Sequence, residues 1–293
     1  MPHVTIIQYE TRDDPALNAL MARNKAYCVK NRVEYIRFGP IQDVPTYWVK
    51  VNLVLMVLRG AADGDIVGWL DSDAVIVDQV TPIADLFKDA SSLGEGGKFF
   101  IGSRDPKPWP APFNAGVFFV KANGVSRRLM EDWMDMYRPD RWMQLTDGSW
   151  KCSGPWAGDD YEQGAFCKHI LPKYAHAIKM YHGDKFDCTT PAFADLRPNG
   201  GRVFSCHFAA DYKTRIPDFL ADNGKGTGKV RPVKLNEDSE SFFTDGNIAL
   251  VVAGAFIGAI AIWAFTKKEV RSPAAALVTS VIDTIKKLKA DML

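Results

Sequence analysis

The chain has 293 residues, 47% of them apolar and eight of them tryptophan, which suits one large core domain with or without appendages. Its formal net charge is +1, which speaks against a nucleic-acid partner and against general attraction to anionic surfaces. The five cysteines (Cys28, Cys152, Cys167, Cys188 and Cys206) are scattered and odd in number, with no C-x-x-C pair. That pattern argues against a disulfide framework or a structural zinc, and for a reducing compartment.

Val4 to Tyr9 predicts a first core strand, and the start shows neither a basic n-region nor a long apolar h-region, so no signal peptide is expected. Pro15 to Asn31 has helical spacing, with Leu17, Leu20, Met21, Asn24 and Cys28 on related faces. A second strand is expected at Val33 to Phe38 and a strong helix at Tyr47 to Leu58. Ala61-Ala62-Asp63-Gly64 then leads into Asp65 to Asp78, which reads D-I-V-G-W-L-D-S-D-A-V-I-V-D. This β-α-β-α-β alternation is the pattern of a doubly wound nucleotide-binding half, though without the G-x-G-x-x-G of dinucleotide sites.

The chain is organised around that last stretch. Ile66 to Leu70 is apolar without alternation, as in a buried strand of a parallel sheet. It ends in Asp71-Ser72-Asp73, and carboxylates at i and i+2 point the same way if the backbone stays extended. At ~5 Å and an effective dielectric near 20 they repel by roughly 3 kcal/mol, which a divalent cation with oxygen ligands, Mg²⁺ or Mn²⁺, would relieve. The plainer explanation is a helix cap plus a turn aspartate. Position favours the metal, since open α/β sheets bind ligands at the carboxyl ends of their strands.

Farther on, Gly94 to Gly97 predicts a loop, Phe99 to Gly102 a strand, and Asp105 to Pro112, with four prolines and a Trp, a rigid loop. Phe113-Asn114-Ala115-Gly116 opens another strand; its small residues let backbone approach a ligand, and Asn114 offers a bifunctional amide, unless this is an ordinary turn. Ser126 to Tyr137 is an amphipathic helix, and Arg138 to Pro155 is irregular and rich in Trp. Asp159 to His169 starts acidic, as helix N-termini do. His207 follows a short strand, as a core histidine or as the imidazole of an O,O,N metal site; Lys213 either meets a phosphate or covers surface.

The folded domain is expected to span 1–219, followed by a polar linker at 220–247. Ile248 to Phe265 is uncharged and apolar; as a helix it measures about 27 Å, close to the ~30 Å hydrocarbon core, and predicts a transmembrane span. Gly254 and Gly258 form a G-x-x-x-G that hints at a dimer. The tail at 266–293 is basic and amphipathic, suiting a membrane surface.

In this order the motifs resemble the GT-A-fold glycosyltransferases, and most nearly glycosyltransferase family 34, the galactosyl-, xylosyl- and mannosyltransferases. Asn24-Lys25-Ala26-Tyr27-Cys28 looks like that family's N-K-x-Y-C segment. Trp48-Val49-Lys50 and Trp69-Leu70-Asp71-Ser72-Asp73-Ala74 look like its W-x-K helix and W-x-D-S-D-A. His207-Phe208 looks like its late H-F, while Lys213 is similar to the lysine of the H-x-G-x-x-K of family 8. The likeness covers roughly residues 3–215. It implies a GT-A-type, Rossmann-like sheet binding a nucleoside-diphosphate sugar, with Mn²⁺ or Mg²⁺ held by Asp71, Asp73 and His207. It places Ser72 and Lys50 with the nucleotide-sugar, Tyr9 and Lys25 near base and ribose, and Asn114 and Gly116 beside the donor sugar. Gln163 would lie beside the anomeric carbon, with Asp159, Asp160 and Glu162 all open as the important acid. Retention of configuration is implied, with Glu162 as nucleophile or with same-face attack aided by Gln163. The acceptor would be a glycan or glycoprotein.

The family's usual N-terminal anchor is not seen; the predicted span is C-terminal. Post-translational insertion would leave the enzyme domain cytosolic, although Lys267, Lys268 and Arg271 beyond the span argue for a cytosolic tail instead. A cytosolic enzyme of this kind would fit an intracellular pathogen or a large virus. Two other classes share these residues: another metal-dependent nucleotidyl or phosphate transferase, and an inactive membrane-anchored binding protein that keeps the fold.

Overall fold

The computed structural model describes residues 1–41, 44–87, 97–105, 111–181, 187–188 and 203–221. Strand β1 (Val4–Tyr9), helix α1 (Pro15–Asn31), strand β2 (Glu34–Phe38), helix α2 (Thr46–Gly60) and strand β3 (Ile66–Leu70) fall within a residue or two of their expected limits. Asp14 starts α1 by accepting from the N–H groups of Ala16 and Leu17 at 2.8 and 3.2 Å, with Pro15 in the first turn. Arg32 ends it in the left-handed region, at φ 56°.

Short strand β4 (Ala74–Ile76) and helix α3 (Ile83–Leu86) come next, then β5 (Phe100–Ser103), β6 (Asn114–Lys121) and helix α4 (Gly124–Met134). Helix α4 begins two residues before its apolar pattern does. The Asn123 side chain accepts from the Ser126 N–H at 2.7 Å, and the Ser126 hydroxyl accepts from the Asn123 N–H at 3.0 Å. The hairpin β7 (Trp142–Gln144) and β8 (Trp150–Cys152) leads to helix α5 (Glu162–Ala165), which widens into a π-type turn at Phe166–Ile170. Strands β9 (Ile178–Tyr181), β10 (Asp187–Cys188) and β11 (Ser205–His207) and helix α6 (Ile216–Ala221) follow.

The main sheet has the order β2-β1-β3-β6-β5-β9. Its first three strands are parallel, as the alternating pattern requires. Beyond β3 the sheet becomes mixed, because β6 runs antiparallel to both β3 and β5. The unbroken apolar run of β3 therefore reports burial on both faces rather than parallel neighbours on both sides. Val67 and Trp69 join a core with Val51, Leu55 and Leu58 of α2 and Trp133 of α4. Ile66 and Leu70 join another with Tyr27 and Cys28 of α1.

A second, three-stranded sheet, β10-β11-β4, sits at the carboxyl end of β3. There β4 and β11 pair antiparallel, placing His207 opposite Ala74. The described residues contain no helix long and apolar enough to cross a membrane. The predicted span at 248–265, the tail at 266–293, Gly254, Gly258 and the linker beyond 221 lie outside the described residues.

Candidate active site and metal centre

At the carboxyl end of β3 the chain does not stay extended through Asp71-Ser72-Asp73. It makes a tight turn, with the Ala74 N–H donating to the Asp71 carbonyl at 2.9 Å. Two buried side chains of the first half pin this turn. Gln8 donates to the Asp71 carbonyl at 3.1 Å, and Asn24 donates to the Ala74 carbonyl at 2.9 Å while accepting from the Ile76 N–H at 2.8 Å. Asn24 also donates to Gln8 at 3.1 Å, so the two amides fix each other. From the same helix, Tyr27 donates its hydroxyl to the Thr81 carbonyl at 2.7 Å. The N-K-x-Y-C segment thus braces the aspartate turn.

Long-range pairing completes the centre. The Asp71 N–H donates to the Gly116 carbonyl at 2.7 Å, and the Phe208 N–H donates to the Asp73 carbonyl at 2.9 Å. His207 Nε2 stands 3.2 Å from Asp73 Oδ1 and 3.7 Å from Asp71 Oδ2. Asp71, Asp73 and His207 each offer a ligand atom, all within 4.8 Å of one another. That is near the span of two ~2.1 Å bonds set back to back.

The orientation of His207 supports the same use. The Gly116 N–H donates to Asn114 Oδ1 at 2.8 Å, which fixes that atom as the amide oxygen. His207 Nδ1, 3.2 Å from the same oxygen, must then carry a hydrogen, and Nε2 is left facing the carboxylates. Two acids and an imidazole nitrogen meeting in a buried spot call for positive charge between them, a proton on Nε2 or a divalent ion. The O,O,N donor set fits Mn²⁺ or Mg²⁺. Gly116 has a definite task here: a Cβ at this position would overlap the His207 ring.

Burial pushes the Asp73 carboxyl up, but the charges and hydrogen bonds of His207 and Lys213 overcome it and hold the group below the usual carboxylate range. Lys213 lies 3.0 Å from Asp73 Oδ2 and is 42% exposed, so it reaches in from the open side. On the inner side Lys50 is buried, and its ammonium meets Asp71 at 2.9 Å, the Ala115 carbonyl at 3.2 Å and Glu162 at 3.3 Å. Those three partners use its three hydrogens. Lys50 therefore holds protein groups, where the family likeness places it with the nucleotide-sugar. Burial raises the Glu162 carboxyl, with Lys50 opposing. Asp71 also accepts from the Trp69 indole at 2.6 Å.

The other predicted site residues divide. Gln163 accepts from the Ala115 N–H at 3.0 Å and donates to Asp105 at 3.2 Å, and Asn114 donates to the other oxygen of Asp105 at 2.6 Å. Asp105 is thus a site residue that the sequence reading left in a proline loop; its acid followed by alternating prolines was the available signal. Ser72 donates to Glu10 at 2.5 Å, and Arg12 donates to both oxygens of the same carboxylate. Glu10 and Arg12 also went unremarked. Tyr9 is buried and accepts from the Ile41 N–H at 3.4 Å; Lys25 is exposed on α1, outside this set of contacts.

Asp160 is not turned to the aspartates. Arg138 and Arg141 take its two oxygens. Its carbonyl accepts from the Trp48 and Trp142 indoles at 2.9 and 3.2 Å, and the Glu162 carbonyl accepts from Trp133 at 2.8 Å. Asp160 thereby serves as an anchor, and the helix starts at Glu162, later than the acidic run predicts. Trp142 of the Trp-rich stretch thus joins Trp48 of α2 and Trp133 of α4, and the three indoles fix the backbone that presents Glu162 and Gln163.

The mixed sheet, its annex and the aspartate turn between them form a GT-A-like glycosyltransferase fold. The solved structure of a glycosyltransferase involved in the glycosylation of the major capsid of PBCV-1 has the same fold, with a TM-score of 0.54 over 75% of this chain and 100% of that one, at 14% identity. In sequence the chain is similar to probable glycosyltransferase 7 of Oryza sativa subsp. indica, at 26% identity over 141 residues, 44% of this chain and 30% of the relative. It is also similar to xyloglucan 6-xylosyltransferase 1 of Arabidopsis thaliana, at 24% identity over 119 residues, 37% of this chain and 25% of the relative. The matched part thus spans under a third of these relatives' length. No protein-family model matches the chain.

Proposed function

We propose that this chain is a metal-dependent glycosyltransferase of the family 34 kind, moving a sugar from a nucleoside-diphosphate sugar to a glycan or protein-linked acceptor with retention of configuration. The observation that carries this reading is the meeting of Asp71, Asp73 and His207 at one point, although His207 comes more than 130 residues later in the chain. Bound there, Mn²⁺ or Mg²⁺ would neutralise charge developing on the leaving diphosphate. Lys213 adds a second positive charge on the open side of Asp73. Asn114 and Gln163, both tied to Asp105, border the donor sugar, and the Gln163 amide oxygen faces developing positive charge at its anomeric carbon. Glu162 is buried against Lys50, which suits an electrostatic partner more than a nucleophile and favours same-face attack by the acceptor. In this reading the segment at 248–265 anchors the enzyme to a membrane, an anchoring supported by its uninterrupted apolar sequence, and the catalytic domain is assigned to the cytosol.

Calorimetry with UDP and GDP, with and without Mn²⁺, tests the metal centre. The chain should bind one of the two in a Mn²⁺-dependent way, and Asp73→Asn should abolish that dependence with the circular dichroism spectrum unchanged. Release of the nucleoside diphosphate from the matching sugar nucleotide should fall roughly a thousandfold, about 4 kcal/mol of transition-state stabilisation. His207→Ala should act in the same direction more weakly, since water can take the vacated position. Equal Mn²⁺-dependent binding by Asp73→Asn and the unmodified chain would end the proposal.

A further inference from the structure

An aromatic cluster leads from the neighbourhood of Glu162 and Lys50 out to solvent. Trp156 is 71% exposed, an unusual state for an indole in a fold that buries Trp48, Trp69, Trp133 and Trp142. Its ring meets Tyr47 at 5.5 Å and Tyr161 at 5.0 Å between centroids, and those two tyrosines meet each other at 5.1 Å. Both tyrosines connect directly to the site. Tyr161 precedes Glu162, and Tyr47 lies one turn before Lys50 on the same face of α2. Burial raises the Tyr47 hydroxyl pKa, and the charges of Tyr161, Glu162 and Asp71 push it further the same way, as expected for a group beside that acidic centre.

The segment carrying Trp156 is built rigidly. Ala157 stands in the left-handed region at φ 56°, a strained choice for a residue with a Cβ. The Gly158 N–H donates to the Pro155 carbonyl at 3.0 Å, and the Tyr161 N–H donates to the Gly158 carbonyl at 2.9 Å. A Cβ on Gly164 would overlap the carbonyls of Ala157 and Gly158, so this backbone lies directly on α5. Strain and close packing here hold an indole out in water, against the hydrophobic gradient. An exposed indole stacked on two tyrosines, held on a fixed backbone beside charged groups, is suited to binding an amphipathic ligand.

We propose that Trp156, backed by Tyr161 and Tyr47, is the acceptor subsite, a platform on which a sugar ring of a glycan acceptor stacks beside the donor. The inference rests on the glycosyltransferase reading and names where its second substrate sits. The C–H face of a pyranose is apolar and weakly positive, and the indole face is negative, so the two match. Arg138 and Arg141, anchored on Asp160 against Gly154 of the same segment and half exposed, supply N–H donors for hydroxyl groups.

The test uses cellohexaose, xylohexaose and maltohexaose as probes, titrated into the full chain without any donor and followed by tryptophan fluorescence and saturation-transfer NMR. At least one should bind, and Trp156→Ala should weaken it about tenfold, which is about 1.4 kcal/mol. Trp156→Phe should recover most of that loss, and Mn²⁺-dependent UDP or GDP binding should be equal in all three proteins. Unchanged oligosaccharide binding in Trp156→Ala, or no binding of any probe by the unmodified chain, overturns the platform. Oligosaccharide binding that depends on Trp156 in a chain that binds neither nucleotide would uphold the platform and remove the glycosyltransferase reading.

Discussion

Asp73 and Asp160 are both buried carboxylates with two cationic partners, and they serve different ends. Asp160 is held by two arginines, which carry permanent charge and a fixed fork geometry, while its carbonyl is held by two indoles. Each of its carboxylate oxygens and its carbonyl meets a protein donor, and the result is an anchor. Asp73 is held by His207 and Lys213, one an imidazole whose ring nitrogen can equally ligate a metal, the other a flexible chain reaching in from solvent. Such partners can be rearranged around an incoming ion or phosphate. Burial and charge alone do not separate a catalytic acid from a structural one; the replaceability of its partners does.

The contrast breaks most sharply at Gly116. Gly116→Ala adds one methyl group where the His207 imidazole lies, and the ring or the start of β6 must move. A ligand displaced by about 1 Å costs about a hundredfold in turnover, or about 2.7 kcal/mol. The variant should therefore bind Mn²⁺ more weakly in calorimetry and release nucleoside diphosphate about a hundredfold more slowly. Near-normal values for both would mean that His207 is not needed at the centre, and that Asp73 is as structural as Asp160.

Much of this arrangement was legible before the structure. The alternation of strand and helix through β3 follows from apolar spacing, and the D-S-D turn falls where a buried strand ends. The likeness of the late H-F to a known motif brought His207 into the same set. What supplies the contact is the β4–β11 ladder, whose strands are three residues each and whose pairing has no local signature. The antiparallel insertion of β6 was hidden for a related reason, since a strand covered on both faces has the same apolar sequence whichever way its neighbours run. Asp160 shows the reverse case. The resemblance leaves it open among three acids, and it is the contacts of Arg138 and Arg141 in space that show where its two oxygens go. Asp105 had only its proline loop as a signal, while Glu10 and Arg12 pair with each other locally, and what ties that pair to the aspartate turn is the contact with Ser72 far along the chain.

Asp160→Asn sharpens the comparison from the structural side. The amide keeps the shape but leaves two guanidinium groups without their counter-charge. Both are half exposed, so water recovers part of the loss, and about 2 kcal/mol of stability should go. The midpoint of urea unfolding should fall accordingly, with Mn²⁺-dependent nucleotide binding changed less than about twofold. Lost binding at undiminished stability would move Asp160 into the chemistry.

The smallest expected effect concerns Glu10, a third buried acid whose partners are of mixed kind. It accepts from the N–H groups of Thr11 and Arg12 at 2.8 and 2.7 Å, from the Arg12 guanidinium at 2.6 Å and from the Ser72 hydroxyl at 2.5 Å. Burial raises its pKa, but the hydrogen bonds and charge of Arg12, with Ser72, prevail and lower it from 4.5 to about 2. A depressed carboxylate contributes stability that is complete above the unfolded-state value and is lost as pH falls through the folded one. The stability difference between the unmodified chain and Glu10→Gln should therefore be constant from neutrality to about pH 4.3, shrink below that, and vanish near pH 2. Since Arg12 stands half in water, screening limits the plateau to about 1 kcal/mol. Urea unfolding of both proteins across that range reads it directly. A difference that grows as pH falls would show that Glu10 is held protonated, and that Ser72 of the aspartate turn is not tied to a charged partner.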